Sequence, residues 1–161
     1  MTRHFITIED LSDDDLDSIL TLATSPFDDA TLSGQGVALV FERPSLRTRA
    51  SSSSAVHELG GYVTFFSDEE IGLDTRESVE DVGRTIAEMY AIAGLRVRRH
   101  EVFARMRAAT AERLSLINLM DDAQRQCPRP PRLRSRILVA CTLCAEKNSG
   151  GIVGFPPSQR T

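Results

Sequence analysis

Phe41-Glu42-Arg43-Pro44-Ser45-Leu46-Arg47-Thr48-Arg49 packs a strand end, a turn and a helix start into nine residues. The apolar run Gly36-Val37-Ala38-Leu39-Val40-Phe41 leads into it and reads as a buried strand. Pro44 bars Arg43 from helical geometry and pre-sets its own φ for a turn or a first helical residue. Ser45 is a good N-cap, with Thr48 at the third helical position after it. The free backbone N–H groups of that helix start point beyond the strand end. Ser45 and Thr48 add hydroxyls, and Arg47 and Arg49 add guanidinium forks. All of these groups suit a phosphate or a phosphate-like anion. The same residues have a plainer reading, because arginines near a helix N-terminus oppose the helix dipole and surface arginines are usually solvated or paired.

Outward from this stretch, strand and helix signals alternate. On the N-terminal side, Thr7 caps a predicted helix with Asp10 three residues on. Its apolar stripe is Ile8, Leu11, Leu16, Ile19 and Leu20, and Asp13, Asp14, Asp15 and Asp17 face water. On the C-terminal side, a helix is expected over 46–59, with Ala50, Ala55, Val56 and Leu59 as its apolar positions and Gly60-Gly61 ending it. The run from Ser51 to Ser54 fills it with mediocre helix formers. A second strand is expected over 62–66, then a polar loop over 67–77 that carries Arg76, then a helix capped by Ser78 with Glu80 and Asp81 in its first turn. A third strand over 91–97 places Arg96 near its C-terminal end, where ligands gather in open α/β sheets. A helix over 100–111 and a fourth strand over 114–119 complete the pattern. His100 falls at that helix start and reads as a surface histidine. The fold class is therefore α/β, a four-stranded parallel sheet flanked by helices, with right-handed crossovers.

The 161 residues suit one domain. A formal net charge of −4 gives no sign of a nucleic-acid partner. Charge is unevenly spread: residues 1–35 hold eight acids and one arginine, whereas residues 123–161 hold six arginines, one lysine and one acid. No stretch approaches the ~18 consecutive apolar residues of a membrane span, and the N-terminus has no signal-peptide pattern. The three cysteines, Cys127, Cys141 and Cys144, all lie near the C-terminus, so no disulfide framework is implied and a cytoplasmic location is expected. Cys141-Thr142-Leu143-Cys144 has the spacing of a metal or redox pair. It lacks companion ligands, so no metal is expected.

The central stretch resembles the Ser-Thr-Arg-Thr-Arg signature of the aspartate/ornithine carbamoyltransferases, with Ser45, Arg47, Thr48 and Arg49 matching and Leu46 standing where the family usually has threonine. Glu77-Ser78-Val79-Glu80-Asp81 and Asn118-Leu119-Met120-Asp121-Asp122-Ala123-Gln124 resemble the corresponding segments of ornithine carbamoyltransferases, and Arg96 matches the family's phosphate- and carbamoyl-contacting arginine. The resemblance covers residues 3–124. It implies a carbamoyl-phosphate-binding domain at 1–124, with Ser45, Arg47, Thr48, Arg49 and Arg96 on the substrate and Arg96 as the catalytic residue. Arg49 has a second implied role, bracing the site through a carboxylate. Arg76 is a candidate contact from the loop. The implied reaction is carbamoyl transfer to the side-chain amine of ornithine, with aspartate as the first alternative acceptor, no cofactor, and a homotrimer formed through this domain.

The pattern breaks after Gln124. Where the family has His-Pro-x-Gln, this chain reads Arg125-Gln126-Cys127-Pro128. Five of its seven prolines follow Gln124, and Pro128, Pro130 and Pro131 oppose a helix there. Residues 125–161 are expected to be a tail outside the domain, either a frameshifted or mis-called gene end without selected structure or a genuine alternative terminus. The amino-acid substrate is expected to need a second domain that these residues do not resemble. A non-catalytic phosphate-binding remnant is the alternative reading.

Overall fold

The computed structural model describes residues 4–24, 31–111 and 113–120. Expectations for Asp121 to Gln124, for Arg125 and Pro128, for the three cysteines and for the tail lie outside the described residues.

Strand β1 (Gly36–Phe41) is central. Its neighbours are β2 (Tyr62–Ser67) and β3 (Ile92–Arg96), and β4 (Ser115–Asn118) lies beyond β3, giving the parallel order β2-β1-β3-β4. Alternation along β1 divides its side chains between two cores. Val37, Leu39 and Phe41 face one core with Ile19 of α1 (Asp13–Thr24) and with Ala55 and Val56 of α2 (Leu46–Glu58). Ala38 and Val40 face the other, with Val79, Val82 and Ile86 of α4 (Val79–Met89) and Val102, Phe103 and Met106 of α5 (Glu101–Thr110). Each fully buried aliphatic or aromatic side chain contributes about 1.5–3 kcal/mol, which is why a strand apolar on both faces takes the centre. At Gly83 of α4 an added Cβ would lie 2.8 Å from Met106 Cγ, so α4 and α5 approach closely there.

Several expectations change in detail. The first helix is two pieces, a 3-10 turn at Ile8–Asp10 and then α1. Competing caps cause the break. Asp10 accepts the Ile6 and Thr7 N–H groups (2.9 and 2.7 Å), while Ser12 Oγ accepts the Asp15 N–H (3.2 Å) and starts a new helix. In α2 it is Ser52 rather than Ala50 that turns inward: Ser52 is buried and Ala50 is exposed. The polar loop over 67–77 contains a short helix, α3 (Asp68–Ile71), started by a capping box in which the Ser67 N–H donates to Glu70 Oε2 (2.7 Å). It ends at Gly72, whose φ of 54° favours glycine. A rung beyond the four strands is formed by Phe5, which bridges in parallel to Ile117.

Candidate functional site

The last residues of β1 and β3 are register partners, Phe41 with Arg96. The turn after β1 and the side chain ending β3 therefore emerge side by side at the carboxyl edge of the sheet. Pro44 and Ser45 reverse the chain into α2. Ser45 is the N-cap, extended at φ −156°, and its Oγ accepts from the Thr48 N–H at 3.4 Å. The Ser45 hydroxyl also donates to Thr48 Oγ1 at 3.0 Å, and Arg96 Nη1 donates to the same Oγ1 at 3.4 Å. Ser45, Thr48 and Arg96 thus form one contiguous group at the N-terminus of α2. Arg96 also lies 3.3 Å from Met120 Sδ. Two hydroxyls, a guanidinium and the free N–H groups of a 13-residue helix face the same volume, which is the donor set a phosphoryl oxygen requires.

The other predicted residues have different settings. Arg47 is exposed on the first turn of α2 and makes no hydrogen bond or ion pair among the described residues. Arg49 sits over the Phe65 ring, its Cζ 3.6 Å from the centroid, and Phe65 in turn packs on Phe41 with ring centroids 5.1 Å apart. Its positive charge helps to hold the Glu70 carboxyl below its ordinary range, although the Ser67 hydrogen bonds do more. Among the described residues Arg49 makes this aromatic contact and no ion pair within bonding distance. Arg76 binds within its own loop: its Nη1 donates to the carbonyls of Glu69 (2.8 Å) and Glu70 (3.2 Å) of α3. His100 is the N-cap residue of α5 and makes no side-chain cap there.

Two ionic arrangements around the site escape reading from sequence. Asp74 and Glu80 both receive Arg105. Arg105 Nη1 and Nη2 reach Asp74 at 2.7 and 2.9 Å, and Nε and Nη2 reach Glu80 at 2.7 Å each. Arg99 joins Asp74 as well. The Arg105 and Arg99 hydrogen bonds hold the Asp74 carboxyl at about 2, and Arg105 lowers Glu80 too. This network pins the loop before α4 onto α5. The second arrangement links Glu42, Arg98 and Asp68 across three strand ends. Glu42 did carry a signal, being a charged residue directly after a wholly apolar strand.

No helix among the described residues is long and apolar enough to cross a membrane, and no group of three or more His, Cys, Asp or Glu side chains there is placed to hold a metal ion.

The fold is that of an α/β domain with Ser45, Thr48 and Arg96 gathered at the carboxyl ends of its central strands. Residues 3–127 match the family described as aspartate/ornithine carbamoyltransferase, carbamoyl-P binding domain, and the chain belongs to that family. Among similar proteins, ornithine carbamoyltransferase of Campylobacter curvus is 35% identical over 106 residues, 62% of this chain and 35% of that protein. The enzyme of the same name from Methanopyrus kandleri is 30% identical over 135 residues, 78% of this chain and 42% of that protein. Among solved structures, the anabolic ornithine carbamoyltransferase of Campylobacter jejuni superposes with a TM-score of 0.68 at 29% identity, over 74% of this chain and 39% of that one. The Thermus thermophilus ornithine carbamoyltransferase gives 0.68 at 26% identity, over 76% and 43%. The chain thus spans about two fifths of the length of these relatives.

Proposed function

We propose that this chain binds carbamoyl phosphate at the start of α2 and serves carbamoyl transfer to the side-chain amine of ornithine, forming citrulline in arginine biosynthesis. The observation that carries this reading is the meeting of Ser45 and Thr48 with Arg96, from two adjacent strand ends, inside a segment that matches a carbamoyl-phosphate-binding family. Ser45, Thr48 and the helix N–H groups hold the phosphate, and Arg47, unpaired in the described structure, closes on it. Arg96 neutralises charge on the phosphate and polarises the carbonyl, acting through electrostatics. The amine nitrogen bonds to the carbonyl carbon, the bond from that carbon to the phosphate oxygen breaks, and inorganic phosphate leaves with the electron pair while the nitrogen gives up a proton. Ornithine is the acceptor assigned because the similar proteins bear that name. A homotrimer and a cytoplasmic location belong to the same reading, and a solution mass of three chains by light scattering tests the former.

The deciding experiment is calorimetric titration of the purified chain with carbamoyl phosphate, beside Arg47→Ala and Arg43→Ala. Losing one partner of a desolvated charge pair costs about 2–5 kcal/mol, so Arg47→Ala should weaken binding by about tenfold or more. Arg43→Ala, on the strand side of the turn, should change it little. Equal titrations for the two variants would remove the site from this position.

A further inference from the structure

The two halves of the site come from different strands, so something must hold them in register beyond the point where the sheet ends. The final ladder bond is donated by the Glu42 N–H to the Arg96 carbonyl at 3.0 Å. Past it, the β1 chain turns toward Pro44 and Ser45, and backbone pairing with the β3 chain stops. The Glu42 side chain takes over: its Oε2 accepts the Arg98 N–H at 2.6 Å. Arg98 reciprocates through its guanidinium, donating Nη2 to the Glu42 carbonyl at 3.1 Å and to Asp68 Oδ2 at 2.5 Å. Asp68 is the first residue of α3, directly after β2. One clasp therefore joins the ends of β2, β1 and β3.

Its chemistry is unusual for a purely structural feature. Glu42 is buried, 7% exposed, directly after a wholly apolar strand, and burying a carboxylate is costly unless its hydrogen bonds are needed. It stands three residues before Ser45, and its partner stands two residues after Arg96. A negative charge this near an anion site also opposes anion binding, so its presence calls for a compensating gain. We infer that Glu42 is a positioning residue for the anion site, holding the Ser45 turn at a fixed distance from Arg96 through Arg98, with Asp68 steadying the Arg98 arm. The inference rests on the carbamoyl-phosphate reading for the identity of the ligand but not for the clasp itself.

The sign of the effect separates this role from the alternatives. A charge effect alone predicts that Glu42→Ala and Glu42→Gln both bind phosphate more tightly. A merely structural role predicts a lower melting temperature and unchanged phosphate affinity. Positioning predicts that Glu42→Ala weakens inorganic phosphate by about tenfold, whereas Glu42→Gln, which keeps an accepting oxygen for the Arg98 N–H, stays near the parent chain. Asp68→Ala should produce a smaller loss in the same direction. The measurement is calorimetry of the 161-residue chain with inorganic phosphate, well below each variant's melting temperature. It is paired with amide hydrogen exchange at Arg98 and at Thr48 and Arg49, whose N–H groups bond Ser45 Oγ and the Ser45 carbonyl. Exchange at both places should quicken in Glu42→Ala and stay near the parent rate in Glu42→Gln. If Glu42→Ala does not fold, the Glu42→Gln and Asp68→Ala pair decides by the same criteria. Tighter phosphate binding by Glu42→Gln, or unchanged exchange at Thr48 and Arg49 in Glu42→Ala, overturns the inference. If the parent chain binds no phosphate, the carbamoyl-phosphate reading fails, and the exchange result alone supports or overturns the clasp.

Discussion

Ser52 shows how one residue separates local preference from tertiary placement. Its hydroxyl is buried and finds no partner among the described residues, in a helix that contributes Ala55 and Val56 to the core beneath β1. A buried hydroxyl without a hydrogen bond costs about 1–3 kcal/mol by protein mutational data. Ser52→Ala removes that cost and improves helix propensity, so it should stabilise the chain by roughly 1 kcal/mol, net of the small void left behind. A thermal melt reads this as a rise of a few degrees, and a fall would mean that Ser52 has a role in packing. Ser45 behaves oppositely. Its Oγ caps α2 and also touches Thr48 Oγ1, so Ser45→Ala should cost about 1 kcal/mol as a cap and weaken phosphate binding as well. Calorimetry and melting on the same variant check both losses.

At the level of elements, the loop before α4 is tied down by charge. Asp74 sits at a left-handed φ of 59° and meets Arg99 and Arg105, which hold its carboxyl at about 2 against the 3.8 of a free aspartate. Glu80 is lowered by the same arginine. As pH falls, the unfolded chain takes up these protons first. The stabilisation is therefore complete above about pH 5 and lost progressively on going down through pH 2. Asp74→Asn should flatten that acid dependence, because asparagine tolerates the left-handed backbone and removes only the charge. Urea midpoints at pH 5 and pH 2.5 for both proteins measure it, and parallel pH profiles would show that the network does not drive the effect. The α4–α5 contact makes a second demand on sequence. Gly83→Val would push a branched side chain into buried Met106 and should destabilise by about 1–3 kcal/mol, seen as a lower urea midpoint.

For the molecule as a whole, the expected activity differs from the expected binding. The family match ends at residue 127, and the stretch shared with this chain is 35% of one relative and 42% of the other. In these 161 residues the family's His-Pro-x-Gln is replaced by Arg125-Gln126-Cys127-Pro128. Losing one electrostatic donor of this kind costs about 10²–10³ in rate. The resemblance places the amine site in a second domain that these 161 residues do not resemble, so the reactants should also forgo a positioning advantage that reaches about 7–11 kcal/mol. The purified 161-residue chain should therefore produce citrulline from carbamoyl phosphate and ornithine only near the uncatalysed rate. Phosphate binding should persist, since Ser45, Arg47, Thr48 and Arg96 all precede residue 121. Robust turnover in a citrulline assay would show that the residues after Gln124 supply more than their sequence indicates.

The order of elements was legible in the chain because each rests on local physics. An apolar run before Pro44 makes β1, Ser45 and Ser78 cap helices with their own hydroxyls, and Gly60-Gly61 stops α2. The clustering of Ser45, Arg47 and Thr48 was legible for the same reason, since a helix start and its side chains are neighbours in sequence. Two boundaries differ from the periodicity, where the caps Asp10 and Ser12 compete and where Ser67 and Glu70 form a capping box inside a polar loop. What the chain alone left open are pairings between residues far apart. The 48-residue contact of Thr48 with Arg96, the 56-residue clasp of Glu42 with Arg98, the turn of Arg76 onto α3 and the inward rotation of Ser52 all depend on how strands and helices pack. The Thr48–Arg96 and Glu42–Arg98 contacts exist only once β1 and β3 lie side by side, because hydrogen bonds act over about 3 Å and sequence separation carries no information about which strand ends will meet.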